Sequence, residues 1–415
     1  MDRKQIILLL WYFTGTKTSS QHRENNVCKN FQDFQNIQYS PNCWYNPDVY
    51  AAPETIARNH GYQFQSHTLQ TEDGYNLTMF RIQDRFSDSQ KQPILLLHGL
   101  FGSAVYFMSS GNMSLAFYLA RNGYDVWLAN HRGNSFSEGH AKLKMTDKHF
   151  WDFSFHEIAL YDIPSVVEYV TEATGNFTKL IYVGHSMGTT IGFLYAGLKK
   201  NHAEQYMKGY IALCPVTAMR HSAFQTIGPA VDIILQGVLA NNIFVLFSDT
   251  RQVSKQVTSY CMEHAEFCLT ILSVAQGEDQ GEYIPEHLVV ALSHYPERTS
   301  VKCVAHYFQM ITSGRFQQYD YGVLENLRRY NSEIPPLYSL SEISIPVHLF
   351  YGLNDKLAAY EDVLWTFGEL ETARKSMTLV PGSSTVRYNH FDFLFSKNIK
   401  AYFYESLMPI LKELE

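Results

Sequence analysis

A glycine-flanked serine is the first feature of this sequence that could perform chemistry. Gly184, His185, Ser186, Met187 and Gly188 form a G-x-S-x-G pattern between a short apolar run and an apolar-faced stretch of helical period. A tight strand-to-helix turn of this kind needs small flanking residues and lifts the serine hydroxyl clear of the backbone. The start of the following helix also directs N–H groups and a partial positive charge toward that oxygen. The pattern predicts Ser186 as a nucleophile, with Gly184 and Gly188 forming the turn around it.

A serine nucleophile needs a general base to take its proton and an acid to orient that base. Where a strand-turn-helix unit carries the serine, the acid and then the base follow it along the chain. Asp355 lies just beyond a predicted strand in VHLFYGLNDKL, and no carboxylate immediately follows the preceding strand at Cys214. We therefore predict Asp355 as the acid. Three other carboxylates are interpreted as loop or helix-face charges: Asp320, Asp362 and Asp392.

The base has to be chosen by position, because the chain contains 17 histidines. His390, in RYNHFDFLF, lies one loop after the last predicted strand, where this chain order puts the base. His98 precedes Gly99 at a strand end and is expected to shape a loop. The remaining candidates come too early or lie on elements away from the active end of the sheet: His131, His140, His156 and His348. The sequence therefore predicts His390 as the base.

An oxyanion forms when a serine attacks an ester, and two hydrogen-bond donors are needed to stabilise it. The backbone N–H of Met187, the residue after the nucleophile, is the first candidate. The second is expected in the loop after ILLL, where HGLFGS makes a tight turn and offers the N–H of Leu100. Gly99 and Gly102 also suit a plain turn, so this loop is informative only together with the serine motif.

The elements that must hold these residues alternate from about residue 60 onward. Short apolar runs and amphipathic stretches follow one another, which is typical of an α/β fold with a mostly parallel central sheet flanked by helices. The predicted strands are Ile94–Leu97, Asp125–Ala129, Leu180–Val183, Tyr210–Leu213, Val347–Tyr351 and Met377–Val380. The predicted helices include Ser114–Asn122, Phe153–Ala173 and Met187–Leu198.

The alternation stops between about Val216 and Ser339, which predicts a helical cap inserted into the α/β core. The predicted units are a signal peptide at 1–20, a first core part at 21–218, a cap or lid at 219–340 and a second core part at 341–415. Within the cap, Pro229–Phe247 is apolar but interrupted by polar residues, so we interpret it as a packed amphipathic helix. A helix that meets lipid would carry a similar pattern. The packed face is predicted to contain Val231, Ile234, Leu235 and Val238.

The N-terminus has the layout of a secretory signal peptide. Arg3 and Lys4 precede an apolar run, Ile6–Phe13, and small polar residues follow as far as Ser20. This run is much shorter than the roughly 20 residues that a membrane-spanning helix needs, so no transmembrane anchor is expected after cleavage.

Other features of the sequence agree with passage through an oxidising lumen. Glycosylation sequons occur at Asn76, Asn112 and Asn176. The chain has six cysteines, and Cys214 is interpreted as a buried free thiol. Close spacing favours two bridges, although spacing alone leaves other connectivities open. The favoured pairs are Cys28 with Cys43 and Cys261 with Cys268.

Composition excludes several other classes of protein. The 415 residues are 46% hydrophobic and 18% charged, which is enough apolar material for a large core. The formal net charge is -7 and no block of Lys and Arg occurs, so nucleic acid is not expected as a partner. No metal-ligand pattern of the CxxC or HExxH type is present, and neither a metal nor a cofactor is expected.

The sequence resembles the acid lipases, which comprise animal gastric and lysosomal lipases and insect relatives on the α/β-hydrolase fold. The resemblance runs from about Asn46 to Phe393. The matching strings include NPDVYAAPETIARNHGY, HGLFGS, SLAFYLARNGYDVWLANHRGNSFS, YVGHSMGTTIGF, LSHYPERTSV, YGLNDKLAAYEDV and YNHFDF.

This resemblance implies cofactor-free hydrolysis of triacylglycerols, with sterol esters as a second substrate class, through an acyl-enzyme intermediate. It implies Ser186, Asp355 and His390 as the triad, Leu100 and Met187 as oxyanion donors, and a movable lid after Val216. Many members have Gln after the nucleophile, where this chain has Met187. The spacing between Cys261 and Cys268 is also shorter than in vertebrate members.

The expected partner is a lipid substrate at an emulsion or membrane interface, and the expected location is extracellular or the lysosomal lumen. Two alternatives remain at this stage. A carboxylesterase for smaller esters would use the same triad, and a non-catalytic lipid-binding protein could share the fold.

Overall fold

The computed structural model describes residues 24–85, 92–175, 179–372, 374–382 and 385–415. The predicted signal peptide at 1–20 and the sequon at Asn176 lie outside the described residues. The strands are β1 Val27–Cys28, β2 Cys43–Trp44, β3 Tyr62–Gln70, β4 Tyr75–Asp84, β5 Pro93–Leu97, β6 Asp125–Ala129, β7 Gly139–His140, β8 Leu180–His185, β9 Met207–Leu213, β10 Val245–Leu246, β11 Thr299–Ser300, β12 Val347–Tyr351 and β13 Lys375–Leu379. The α-helices are α1 Pro53–Asn59, α2 Leu115–Arg121, α3 Phe155–Glu157, α4 Ile163–Ala173, α5 Met187–Leu198, α6 Lys200–Tyr206, α7 Gly228–Ala240, α8 Thr250–Glu263, α9 Ala265–Gln276, α10 Pro285–Leu292, α11 Val301–Ser313, α12 Val323–Tyr330, α13 Tyr360–Glu369, α14 Asp392–Phe395 and α15 Glu405–Leu414.

One mixed sheet forms the centre of the molecule. In the described part of the chain it has nine strands in the order β13-β12-β9-β8-β5-β6-β4-β3, with β7 paired to β4. The strands from β13 to β6 run parallel, whereas β3 and β7 each pair antiparallel to β4, and β4 pairs antiparallel to β6. All residues of β5, β6, β8 and β12 are buried, as expected for parallel strands covered by helices on both faces. The carboxyl ends of the parallel strands therefore meet at one edge of the sheet.

Several predicted elements have the predicted bounds, namely β6, β12 and α5. The helix predicted at Phe153–Ala173 is wrong as one regular helix, because a π-helical turn at Ile158–Asp162 separates α3 from α4. In that turn Asp162 is buried, and its carboxylate accepts hydrogen bonds from the backbone N–H and the side chain of Arg132. The pairing of the buried charges of Asp162 and Arg132 explains why the helix widens to a π-helical turn at this point. The antiparallel hairpin β3–β4 was not predicted.

The chain between β9 and β12 supplies helices α7 to α12. The predicted packed face of the first of these helices is wrong at Ile234, whose side chain is 62% exposed. The other three predicted residues, Val231, Leu235 and Val238, do face inward and pack in one cluster with the α11 residue Val304. The pairing of α7 with α11 sets this face, and Ile234 is rotated about 100° from Leu235 around the helix axis.

The structure joins both favoured cysteine pairs. Cys28 is bonded to Cys43 across β1 and β2, and Cys261 in α8 is bonded to Cys268 in α9. Cys214 is a buried free thiol, as is Cys303, for which no role was predicted.

The two described sequons differ in exposure. Asn112 is exposed. Asn76 lies half-buried on β4, and its Oδ1 accepts a hydrogen bond from Gln70. Among the described residues, we find no helix with the length and apolarity needed to cross a membrane.

Candidate active site

Ser186 lies in the turn between β8 and α5, at the carboxyl edge of the sheet. Its backbone has φ 55° and ψ -118°, a conformation that a side-chain-bearing residue rarely adopts. The strand β9 supports this turn, because Ser186 N–H donates to Leu213 O at 3.1 Å. Strain held in this way at a serine between a strand and a helix is the geometry of a nucleophile elbow.

The two glycines of the motif are required by space. A Cβ on Gly184 would lie 2.4 Å from the carbonyl oxygen of Gly188. A Cβ on Gly188 would lie 2.2 Å from the carbonyl oxygen of Leu97, at the end of β5. Both distances are far inside van der Waals contact, so the turn can pack against the neighbouring strand only with glycine at these positions.

Asp355 and His390 form a buried pair at the same edge. His390 Nδ1 donates to Asp355 Oδ2 at 2.8 Å, while Asp355 Oδ1 accepts the N–H groups of Leu357 and Ala358 at 2.9 and 2.8 Å. Burial raises the pKa of Asp355, but the contact with His390 and these two N–H groups outweigh burial and hold it below its ordinary value. The carboxylate is therefore ionised and can fix the tautomer of the imidazole.

The backbone of His390 is anchored by two residues from neighbouring strands. Its carbonyl oxygen accepts a hydrogen bond from His185 Nε2 at 2.9 Å and one from the thiol of Cys214 at 3.3 Å. Burial and the neighbouring His390 lower the pKa of His185 to about 3, so this side chain is neutral and available as a donor. The sequence pattern did not predict either contact, because both arise where β8 and β9 end beside the His390 loop.

His390 shares a cavity with Ser186, the predicted nucleophile. His390 Nε2 is buried and has no hydrogen-bond partner among the described residues. It lines a cavity of about 230 Å³ that Ser186 also lines. The other walls are mainly apolar and come from both the core and the inserted helices, including Met187, Met219, Phe224, Val304 and Phe308. The predicted base and the predicted nucleophile thus line one largely apolar cavity, although no hydrogen bond joins them in the described residues. Such bonds are often long without substrate.

The candidate oxyanion donors lie on either side of Ser186. Met187 is the first residue of α5, so its N–H has no partner within the helix. The loop that carries Leu100 packs on the nucleophile, since a Cβ on Gly99 would lie 2.9 Å from the Ser186 Cβ. Leu100 and Met187 both line the cavity. Their positions suit an oxyanion at the serine.

Comparisons with known proteins identify the family and the fold. A family model described as the alpha/beta hydrolase fold matches residues 92–394, and one described as a partial alpha/beta-hydrolase lipase region matches residues 53–111. Lipase 1 of Drosophila melanogaster is 32% identical over 86% of this chain and 79% of its own length. The gastric triacylglycerol lipase of Bos taurus is 31% identical over 89% of this chain and 93% of its own length.

The chain belongs to the acid lipase family of α/β hydrolases. A solved structure of a candidate lipase from Sulfolobus solfataricus has the same fold, with a TM-score of 0.57 and 16% identity over 86% of this chain and 95% of that one. The predicted fold class is therefore confirmed.

In this acid lipase, the structure shows what surrounds the side chain of Met187. The Met187 side chain is buried, and its sulfur lies 3.6 Å from the sulfur of Cys303 in α11. Two soft, apolar groups thus join the turn that carries Ser186 to the inserted helices.

Two of the carboxylates that were interpreted as loop or helix-face charges lie on helices of this lipase but are buried. Asp362 is 2% exposed, and its carboxylate accepts the N–H and the Nδ1–H of His221. Asp392 is 1% exposed, and it accepts the N–H of Asn389 at 2.7 Å, beside the base. Both carboxylates face inward toward their hydrogen-bond partners. The partner of Asp362 lies on a distant segment, and the partner of Asp392 lies in an irregular one. Helical periodicity cannot identify either partner. Asp320 lies in a loop, as predicted.

Proposed function

We propose that this chain hydrolyses carboxylic esters of neutral lipids, triacylglycerols first, with Ser186 as the nucleophile. The chain is a carboxylic ester hydrolase of the lipase type, as its triacylglycerol lipase relatives support. The observation that carries the mechanism is the joint placement of Ser186 and the Asp355–His390 pair around one apolar cavity.

In the proposed first half-reaction, Ser186 Oγ attacks the ester carbonyl carbon while His390 Nε2 takes the hydroxyl proton. The N–H groups of Leu100 and Met187 stabilise the oxyanion. The carbon–oxygen bond to the alcohol then breaks, and His390 returns the proton to the departing alkoxide. Asp355 stays ionised throughout and stabilises the imidazolium. An acyl-serine and a free alcohol result.

In the second half-reaction, water occupies the position that the alcohol has left. His390 Nε2 takes a proton from this water, whose oxygen attacks the acyl carbon. The serine–acyl bond breaks, and Ser186 recovers its proton from His390. The products are a fatty acid and the free enzyme, and no step needs a cofactor.

The segment 219–340 is proposed as the cap and lid, between core parts at 21–218 and 341–415. Support comes from the cavity, since Phe224, Gln276 and Val304 of this segment line it together with Ser186. The cap also carries exposed apolar side chains at Phe267, Ile271 and Val274, which lie on one face of α9. A lipid surface is the partner that we propose for this face.

An oxidising compartment, either extracellular or the lysosomal lumen, is the proposed location. Two disulfides support it, because such bonds persist in oxidising compartments. Of the described sequons, Asn112 is better suited to carry a glycan than Asn76, because the Asn76 side chain is half-buried and hydrogen-bonded.

An emulsion should activate the enzyme. We expect the rate of long-chain ester hydrolysis to rise sharply as substrate passes its solubility limit, because lid opening exposes apolar surface that an interface can cover. Ile271→Ser should reduce this rise by several-fold while leaving hydrolysis of dissolved esters unchanged. Initial rates across the solubility limit, measured for both proteins, check this expectation.

The control is Leu364→Ser, which changes an exposed leucine on the core helix α13 and should keep the full rise. A smooth hyperbola through the solubility limit, together with a preference for short acyl chains, would instead favour the carboxylesterase alternative. Absence of any hydrolysis would favour a lipid-binding protein.

A further inference from the structure

A buried amide lies inside the catalytic cavity and no step of the mechanism uses it. Gln276, the last residue of α9, lines the cavity together with Ser186 and His390. Its side chain is buried with 6% of the residue exposed, and Oε1 has no hydrogen-bond partner among the described residues. Leaving a buried polar atom unpaired is unfavourable. The position is therefore one where a bound ligand would supply the missing partner.

The backbone around Gln276 is fixed to the loops of both the base and the acid. Gln276 O accepts the N–H of His390 at 3.1 Å. Gly277 has φ +103°, and a Cβ there would lie 1.8 Å from the carbonyl oxygen of Asn354, so the two segments are in close contact. Asn354 Nδ2 also donates to Glu278 O at 2.7 Å. The backbone that carries the Gln276 side chain is thus fixed before substrate arrives, as a specificity contact requires.

The attachment to His390 also indicates which half of the ester meets Gln276. The base returns its proton to the departing alcohol, so groups beside His390 lie on the alcohol side. The oxyanion donors Leu100 and Met187 belong to the carbonyl side. Gln276 is therefore positioned to contact the alcohol half of the substrate.

We propose that the Gln276 amide hydrogen-bonds an oxygen of the glycerol unit on the alcohol half of the ester, a free hydroxyl in a partial glyceride or an ester carbonyl in a triacylglycerol, so that the enzyme favours glycerol esters over esters of plain alkanols. This inference rests on the proposed ester hydrolysis at Ser186. A hydroxyl donates to Oε1, and it equally accepts from the amide nitrogen, so either orientation of the side chain serves. A site built to bond a polar group of the substrate discriminates against an analogue, such as an alkanol ester, that lacks any such group at that place.

A pair of matched esters tests the proposal. 1-Monobutanoylglycerol and propyl butanoate share the acyl chain and a three-carbon alcohol, and they differ by two hydroxyls. Both are assayed below their solubility limits, so that interfacial effects do not enter. The measured quantity is the ratio of kcat/KM for the glycerol ester to kcat/KM for the propyl ester.

The wild type should prefer the glycerol ester by about tenfold or more, the scale of one hydrogen bond to an otherwise unpaired buried group. Gln276→Met, which keeps the length of the side chain and removes the amide, should lower that ratio by about tenfold while propyl ester hydrolysis stays within about threefold of wild type. Gln317→Met is the control. Gln317 is 3% exposed and also has an unpartnered Oε1, but it lies outside the catalytic cavity, and its replacement should leave the ratio unchanged.

Three results would overturn the proposal. The first is a wild-type ratio near one, which needs no variant to fold. The second is an unchanged ratio in Gln276→Met, with both esters hydrolysed normally. The third is an equal loss on both esters, which would assign Gln276 to the support of His390 or of the attacking water. All three differ from failure of the proposed function, in which the wild type hydrolyses neither ester.

Discussion

Replacing Ser186 with alanine should lower kcat for ester hydrolysis by about 10⁴-fold or more while the protein keeps its fold. The Ser186 hydroxyl is the proposed attacking atom, and no hydrogen bond in the described residues uses it as a donor. Alanine removes the nucleophile from the elbow and leaves Gly184 and Gly188 in place. Steady-state kinetics on a soluble ester, with thermal melting of the same sample, measures both effects.

The control for this substitution is Ser66→Ala, at an exposed serine on β3 far along the chain from the elbow. It should retain wild-type activity. Normal melting with no turnover is the pair of results expected for Ser186→Ala. Turnover within about tenfold of wild type would refute the assignment of Ser186 as the nucleophile.

Asp355→Asn should lower kcat by about 10³- to 10⁴-fold at neutral pH. An asparagine that directs its NH₂ group at His390 Nδ1 would favour the tautomer with the proton on Nε2, which cannot accept the serine proton. The matched control is Asp362→Asn, because Asp362 also bonds a histidine, His221, at 3.0 Å, but on helix α13. That variant should retain activity within a few-fold. Comparable losses in both variants would contradict the assignment of Asp355.

The same substitution has a predictable effect on stability as pH changes. The pKa of Asp355 is lowered in the folded protein, so its ionised form stabilises the fold above the unfolded pKa, and that contribution is lost as pH falls through the folded pKa. The difference in free energy of unfolding between wild type and Asp355→Asn should therefore shrink below about pH 4. Denaturant melts of both proteins across this range provide the measurement.

The sequence was most informative where function depends on local geometry. The elbow needs glycine on both sides of Ser186, and the G-x-S-x-G motif contains both of these glycines. Asp355 and His390 could be proposed from their place in the chain, because Asp355 follows the fully buried strand β12 and His390 lies in the loop after the last strand of the sheet.

The hairpin β3–β4 was missed although its turn carries a usable signal. Residues Thr71–Gly74 contain an Asp-Gly pair between two runs of alternating residues, which is typical of a hairpin. Most of the side chains on β3 are exposed or half-buried, so the run lacks the apolar density of the central strands.

Tertiary contacts decide the features that the sequence could not predict. Ile234 and Leu235 are adjacent and equally apolar, and only the packing of α7 on α11 determines which one faces inward. Asp392 is buried because the Asn389 backbone folds back onto it. Gln276 gives no sequence signal at all, since its significance comes from the loop of His390, 114 residues further along the chain.

Covalent trapping tests the central claim most directly. A long-chain alkyl fluorophosphonate reacts with an activated serine, releasing fluoride and leaving a phosphonate ester that mimics the tetrahedral intermediate. Peptide mapping of the full chain after this reaction should locate one equivalent of label on Ser186, with loss of ester hydrolysis in proportion and no labelling in a His390→Ala variant. Label on any other residue, or undiminished hydrolysis with Ser186 fully labelled, would contradict Ser186 as the nucleophile of this lipase.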